Sequence, residues 1–171
     1  MDFVSMALFW KVYDRIELTI AVLALVAMVL TVFVAATGRT VGVPVGSAST
    51  FAQLFLIWTC MLGGDLTLKH GQHIRVSALP DVVSPGLRKS MAAFNVLLIL
   101  AFLGFVAWHG WELVVSNWAR TLGASGLSYG LVTLALPVGA VLFAITLVRR
   151  LFVLGLEHVY EAPAVKPESV L

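Results

Sequence analysis

Few side chains in this sequence can transfer a proton or hold a ligand, and those few lie mostly near the ends of long apolar runs. They are His70, His73, His109 and His158, the acids Glu17, Asp65 and Glu112, and the single Cys60. His109 and Glu112, three apart, share a helical face and could form an acid–base pair. Trp108, Trp111 and Trp118 beside them favour interfacial packing instead. Asp65 is a functional candidate by default, because a carboxylate in a bilayer is expensive. Lys69, four residues on, offers it an i,i+4 partner near the interface, which favours a structural role. One cysteine in an apolar run excludes an intramolecular disulfide and a multi-cysteine metal site, and reads as a packing residue. No serine–histidine–aspartate pattern, phosphate loop or metal-ligand spacing occurs, so neither enzymatic activity nor a cofactor is expected.

The elements that carry these residues follow from composition. Sixty per cent of the 171 residues are hydrophobic, only 12% are charged, and mean hydropathy is +1.00; a soluble domain carries about 25% charged residues. An all-α integral membrane protein is expected. About 20 apolar residues cross a hydrocarbon core of roughly 30 Å, and four such runs exist, near 16–38, 50–68, 90–112 and 127–148. Ahead of them Phe3, Val4, Leu8, Phe9, Trp10, Val12 and Tyr13 read as a short interfacial helix, with Lys11 and Arg15 toward headgroups. Asp2 ahead of the first apolar residues, and Lys11 and Arg15 behind them, give the opposite charge order to a signal peptide. Ala27, Thr31 and Ala35 form a stripe of small residues at helical spacing, and Thr59, Gly63 and Thr67 form a second; both predict close helix approach. Pro137 predicts a kink in the fourth span, because it leaves the carbonyl of Thr133 without its helical partner. Residues 151–160 are expected to extend the helix along the interface. Residues 1–160 then form one membrane domain and 161–171 a disordered tail.

Orientation follows from the basic residues. Lys11, Arg15, Lys69, Arg75, Arg88, Lys89, Arg149, Arg150 and Lys166 fall on one side and only Arg39 and Arg120 on the other. The positive-inside rule places both termini and the 69–90 turn in the cytoplasm. The basic balance thus reflects topology and does not suggest nucleic acid. The middle of every predicted span is aliphatic, aromatic or small, so this chain is not expected to carry a solute itself. A membrane anchor for an electron-transfer enzyme, possibly haem-binding, is the alternative. No two histidines lie at matching depth on different spans to ligate haem.

Trp58, Gly63 five residues later, Gly71-Gln72-His73-Ile74-Arg75-Val76 and then Leu79 resemble the most characteristic segment of the DctQ-like small membrane subunits of TRAP transporters. Gly38-Arg39 and Leu136-Pro137-Val138-Gly139 resemble that family's first-helix arginine and its leucine-proline-x-glycine run. Thr50 and Gln53 depart from it, standing where relatives commonly carry a glutamate and an arginine. The resemblance implies a non-catalytic subunit of the bacterial inner membrane. Its expected partners are a large permease subunit, a periplasmic substrate-binding protein and membrane lipids. Sodium-coupled uptake of an organic anion would reside in the large subunit. The inner turn, through Lys69, Gly71, His73 and Arg75, is expected to meet lipid phosphates or permease loops. Arg39, Asn117, Trp118 and Arg120 are expected to face the binding protein.

Overall fold

The computed structural model describes residues 3–70 and 84–158. Those residues are almost entirely helical: α1 (Phe3–Thr40), α2 (Ala48–Lys69), α3 (Pro85–Asn117), a single turn α4 (Gly130–Thr133) and α5 (Ala135–His158). Four segments are long and apolar enough to cross a membrane, the fourth running through α4 and α5 from Gly130 to Leu156. The segment read as a separate interfacial helix instead continues into the first span. No glycine or proline interrupts residues 3–37, so nothing breaks the hydrogen-bond ladder there. At 38 residues α1 is about 57 Å long by the helical rise. That exceeds a bilayer core of roughly 30 Å, so α1 must tilt or project beyond it.

The helices form a row. Helix α1 packs on α2, α2 on α4 and α5, and α5 on α3, while α1 and α3 have no backbone contact with each other. The last span is therefore central and α1 and α3 are edges. Along α1 the side turned to α2 carries Glu17, Ala21, Ala24, Ala27, Thr31, Ala35 and Gly38, buried or half-buried. Spacings of three and four keep these mostly small residues on one stripe, and the backbones can approach. On α2 the close approach is made by Gly64 rather than by the Thr59, Gly63, Thr67 stripe. A Cβ on Gly64 would come within 2.6 Å of the Phe143 ring, whereas one on Gly63 would meet nothing within 4 Å and Thr67 is exposed.

Pro137 acts one turn ahead of itself. The helix is interrupted at Leu134, between α4 and α5, beside the carbonyl of Thr133 that the proline leaves without a donor. Its ring packs on α3, where a Cβ on Gly110 would lie 3.1 Å from the proline Cδ. Two residues on, Gly139 lies against Met61 of α2. The Leu136–Gly139 run thus seats the central span between both neighbours. At the arginine-rich end Val96 and Leu147 form a small buried core with Leu68, Ile99, Leu100 and Leu151 packed against it. The interfacial extension expected at 151–160 is interrupted at Gly155, whose φ of 77° is accessible mainly to glycine.

The connection between the third and fourth spans is ordered by backbone hydrogen bonds. Leu122 N–H donates to the Leu127 carbonyl at 2.7 Å and Tyr129 N–H to the Arg120 carbonyl at 2.8 Å, closing a tight hairpin over residues 120–129. Leu122 is buried beneath it, and Gly123 (φ 54°) turns close to Thr50 of α2.

Candidate functional site, an ionic cluster joining three helices

The residues with chemical potential gather at the arginine-rich end of the row, between α1, α2 and α5. Asp14 and Glu17 come from α1, Asp65 and Lys69 from α2, and Thr146, Arg149 and Arg150 from α5. The Lys69 ammonium is the hub. It pairs with Glu17 Oε2, and lies 3.2 Å from Asp14 Oδ1 and 3.2 Å from Asp65 Oδ2. Its open side is covered by the Tyr13 ring, 4.3 Å from ammonium to centroid. Asp65 is fully buried and also accepts a hydrogen bond from the Thr146 hydroxyl at 2.9 Å. Arg149 Nη1 contacts both Asp14 oxygens at 3.1 Å, and its guanidinium sits over the Trp10 ring. Arg150 Nη1 donates to the Lys69 backbone carbonyl at 2.7 Å, closing the end of α2.

Local sequence explains the assembly. Trp10, Tyr13, Asp14 and Glu17 are spaced by three, one and three residues, one side of an α-helix. Asp65 and Lys69 are an i,i+4 pair on α2. Thr146, Arg149 and Arg150 fall one turn apart on α5. Three carboxylates thus meet the Lys69 and Arg149 cations, with Arg150 on the adjoining Lys69 carbonyl, so charges that would be costly in the membrane are compensated within the protein. Compensation is incomplete in geometry. Glu17 Oε1, Asp65 Oδ1 and the Tyr13 hydroxyl are buried without a hydrogen-bond partner among the described residues. The cluster therefore fixes three helices to one another and leaves a few polar atoms in reserve.

Several expectations change. Asp65 does pair with Lys69, but as one member of a larger network. Lys69 was expected to meet lipid phosphates or permease loops; its side chain is only 9% exposed and is turned inward onto carboxylates. Trp10 and Tyr13, expected at headgroup depth, cap Arg149 and Lys69. Gly71, His73 and Arg75 lie outside the described residues. Asp14, Glu17, Thr146 and Arg149 were missed as partners because pairing α1 with α5 needs the tertiary arrangement. The one available signal was the i,i+3 spacing of Asp14 and Glu17 beside the expected pair.

Elsewhere, the Trp58 indole N–H donates to the Leu131 carbonyl at 3.1 Å, tying α2 to the interrupted turn of the last span. At the other end Arg120 stacks on Tyr129, and Asn117 donates back to Leu113 of its own helix. Trp118 is exposed beside them. Arg39 is on the opposite edge helix, so the four residues assigned to one docking face are divided between two edges. His109 and Glu112 do bond, Nδ1 to Oε2 at 2.9 Å, on the exposed face of α3 next to Phe105.

The family model described as "Tripartite ATP-independent periplasmic transporters, DctQ component" matches residues 6–155. The chain belongs to this DctQ family. No curated protein matches it. The ionic cluster lies within the matched segment, as does nearly all of the helix row. Membership makes the chain the small subunit of a TRAP transporter, and the anchor alternative receives no support from it.

Proposed function

We propose that this DctQ subunit is the fixed membrane partner of the large TRAP permease, holding that permease in place during sodium-coupled uptake of an organic anion delivered by a periplasmic binding protein. The observation that carries the reading is the ionic cluster, which fastens α1, α2 and the last span to one another at one end. A fixed partner must resist the forces of a moving neighbour, and charge pairs spanning three helices resist their sliding. Both termini are cytoplasmic in this reading, with the arginine-rich end inside.

The two edges of the row divide the work. The outward faces of α1 are chiefly aliphatic, with Leu23, Leu25, Val26, Val29 and Leu30 exposed, and suit lipid tails. Helix α3 exposes Phe94, Phe102, Phe105, Trp108 and Trp111 with the His109–Glu112 pair among them. Aromatic residues are enriched at protein interfaces, and a polar pair is better placed against protein than against hydrocarbon. The α3 edge therefore receives the permease.

Disulfide or bifunctional cross-linking in membranes tests this, starting from Cys60→Ala to remove the exposed native thiol. Cysteine at Phe102 or Phe105 should link to the permease, and cysteine at Leu23 or Leu30 should not. Linking from α1 alone would reverse the assignment. Failure of the tagged chain to co-purify with any large permease would remove the partner role altogether.

A further inference from the structure

Beside the ionic cluster lies a cleft of about 400 Å³ between α1, α2 and α5, away from the α3 edge. Its polar rim is made by Arg15, His70, Arg149 and Arg150, and its walls by Leu18, Leu66, Val153 and Leu154. We infer that this cleft binds the phosphate headgroup of one anionic phospholipid, with an acyl chain laid along Leu18 and Leu66. The inference concerns this chain alone and goes beyond the partner role.

Charge complementarity selects the occupant. Asp14 is the one acid lining the cleft, and Arg149 occupies both of its oxygens. Glu17 and Asp65 are buried behind it on Lys69. What the rim presents outward is therefore cationic through exposed Arg15, with the exposed His70 ring, whose Nδ1 lies 2.7 Å from the Leu66 carbonyl, as a polar neighbour. Shape selects it too. Leu18 is an exposed apolar wall directly next to Arg15, and an amphiphile matches both halves where a free anion matches only one. The position suits this ligand, because the rim lies at the basic end of the spans and Leu18 and Leu66 lie one turn further into them, while Val153 and Leu154 lie one turn beyond Arg149 and Arg150 on the other side.

The test is photolabelling of the intact transporter in mild detergent with phosphatidylglycerol carrying a diazirine on an acyl chain, followed by peptide mapping. Label should appear on the segments around Leu18 and Leu66. Unlabelled phosphatidylglycerol should compete, while phosphatidylcholine and millimolar inorganic phosphate should compete much less. Arg15→Gln should weaken labelling about fivefold, the effect of one basic residue facing an anionic surface. Leu18→Trp, which fills the wall without altering charge, should weaken it at least as much. Both positions are exposed and outside the ionic cluster, so neither substitution removes a fold contact. Labelling in both variants as strong as in the unaltered chain, or equal competition by phosphatidylcholine, would overturn the lipid site. Full competition by inorganic phosphate would show a free-anion site instead.

Discussion

At the arginine-rich end the helix row is held by side-chain charges, whereas at the opposite end the chain is held by its own backbone. The first set of contacts draws on residues 14, 17, 65, 69 and 149, which are remote in sequence and sit on three helices. The second lies within a hairpin over residues 118–130, where Ser128 Oγ bonds the Trp118 carbonyl at 2.6 Å and backbone pairs do the rest. A local hairpin can loosen without moving a helix. The ionic cluster cannot, because removing one member strands the others in a site with little water. The comparison teaches that ionic fastening between helices is concentrated at the arginine-rich end, and that the hairpin is closed chiefly by its own backbone, with Gly123 against Thr50 of α2.

The most severe way to break this asymmetry is Lys69→Met. Glu17 and Asp65 would lose their common cation while buried, and leaving a buried charge unpaired costs roughly 3–5 kcal/mol. Thermal unfolding of the purified complex should show a large drop. Adding Glu17→Gln and Asp65→Asn should restore much of it, because the stranded charges are then gone. A Lys69→Met protein of unchanged stability would mean that the cluster is not the fastening point.

A smaller effect, also at the charged end, separates packing from charge. Gly64→Ala puts a methyl against the Phe143 ring and should destabilise by about 1–3 kcal/mol. Gly63→Ala meets nothing within 4 Å and should be neutral or stabilising by up to about 1 kcal/mol. Equal effects of the two would contradict the register of α2 against the last span. Next in size comes Trp58→Phe, which removes one hydrogen bond to the Leu131 carbonyl while keeping the aromatic bulk. A loss of about 1 kcal/mol is expected. The change should appear as faster amide exchange around residues 130–134 and leave exchange near Lys69 as it was.

Much of this molecule was legible in sequence because a bilayer makes hydropathy nearly decisive. The four spans, the pairing of Asp65 with Lys69 and the disturbance before Pro137 all follow from short-range rules. What escaped was long-range. Charge alone placed Asp14, Glu17 and Arg149 at a membrane boundary, where each could as well have faced water. Only the adjacency of α1, α2 and α5 shows that they face one another. The small-residue stripes misled on α2 for a related reason. Thr59, Gly63 and Thr67 share a face, but the neighbour lies along the face of Gly64, and spacing within one helix does not say where the next helix stands. Trp58 was noticed as a motif residue, yet its partner, a backbone carbonyl 73 residues away, leaves no mark on the sequence.

The smallest expected effect bears on the His109–Glu112 pair, near the hairpin end of α3. Both side chains are more than half exposed, at 53% and 61%, and three residues apart on one helix. Exposed pairs of this kind contribute about 0–1 kcal/mol. Glu112→Gln should therefore change the stability of the isolated chain by less than about 0.5 kcal/mol, in contrast with Lys69→Met. If α3 is the permease edge, the same substitution should be felt in the complex, because the partner desolvates the pair. Measured side by side, an effect confined to the complex would assign the charged end to holding this subunit together and the α3 edge to holding its partner. An equally small effect in both would place Glu112 outside the contact and shift the permease edge toward Phe94 and Phe102.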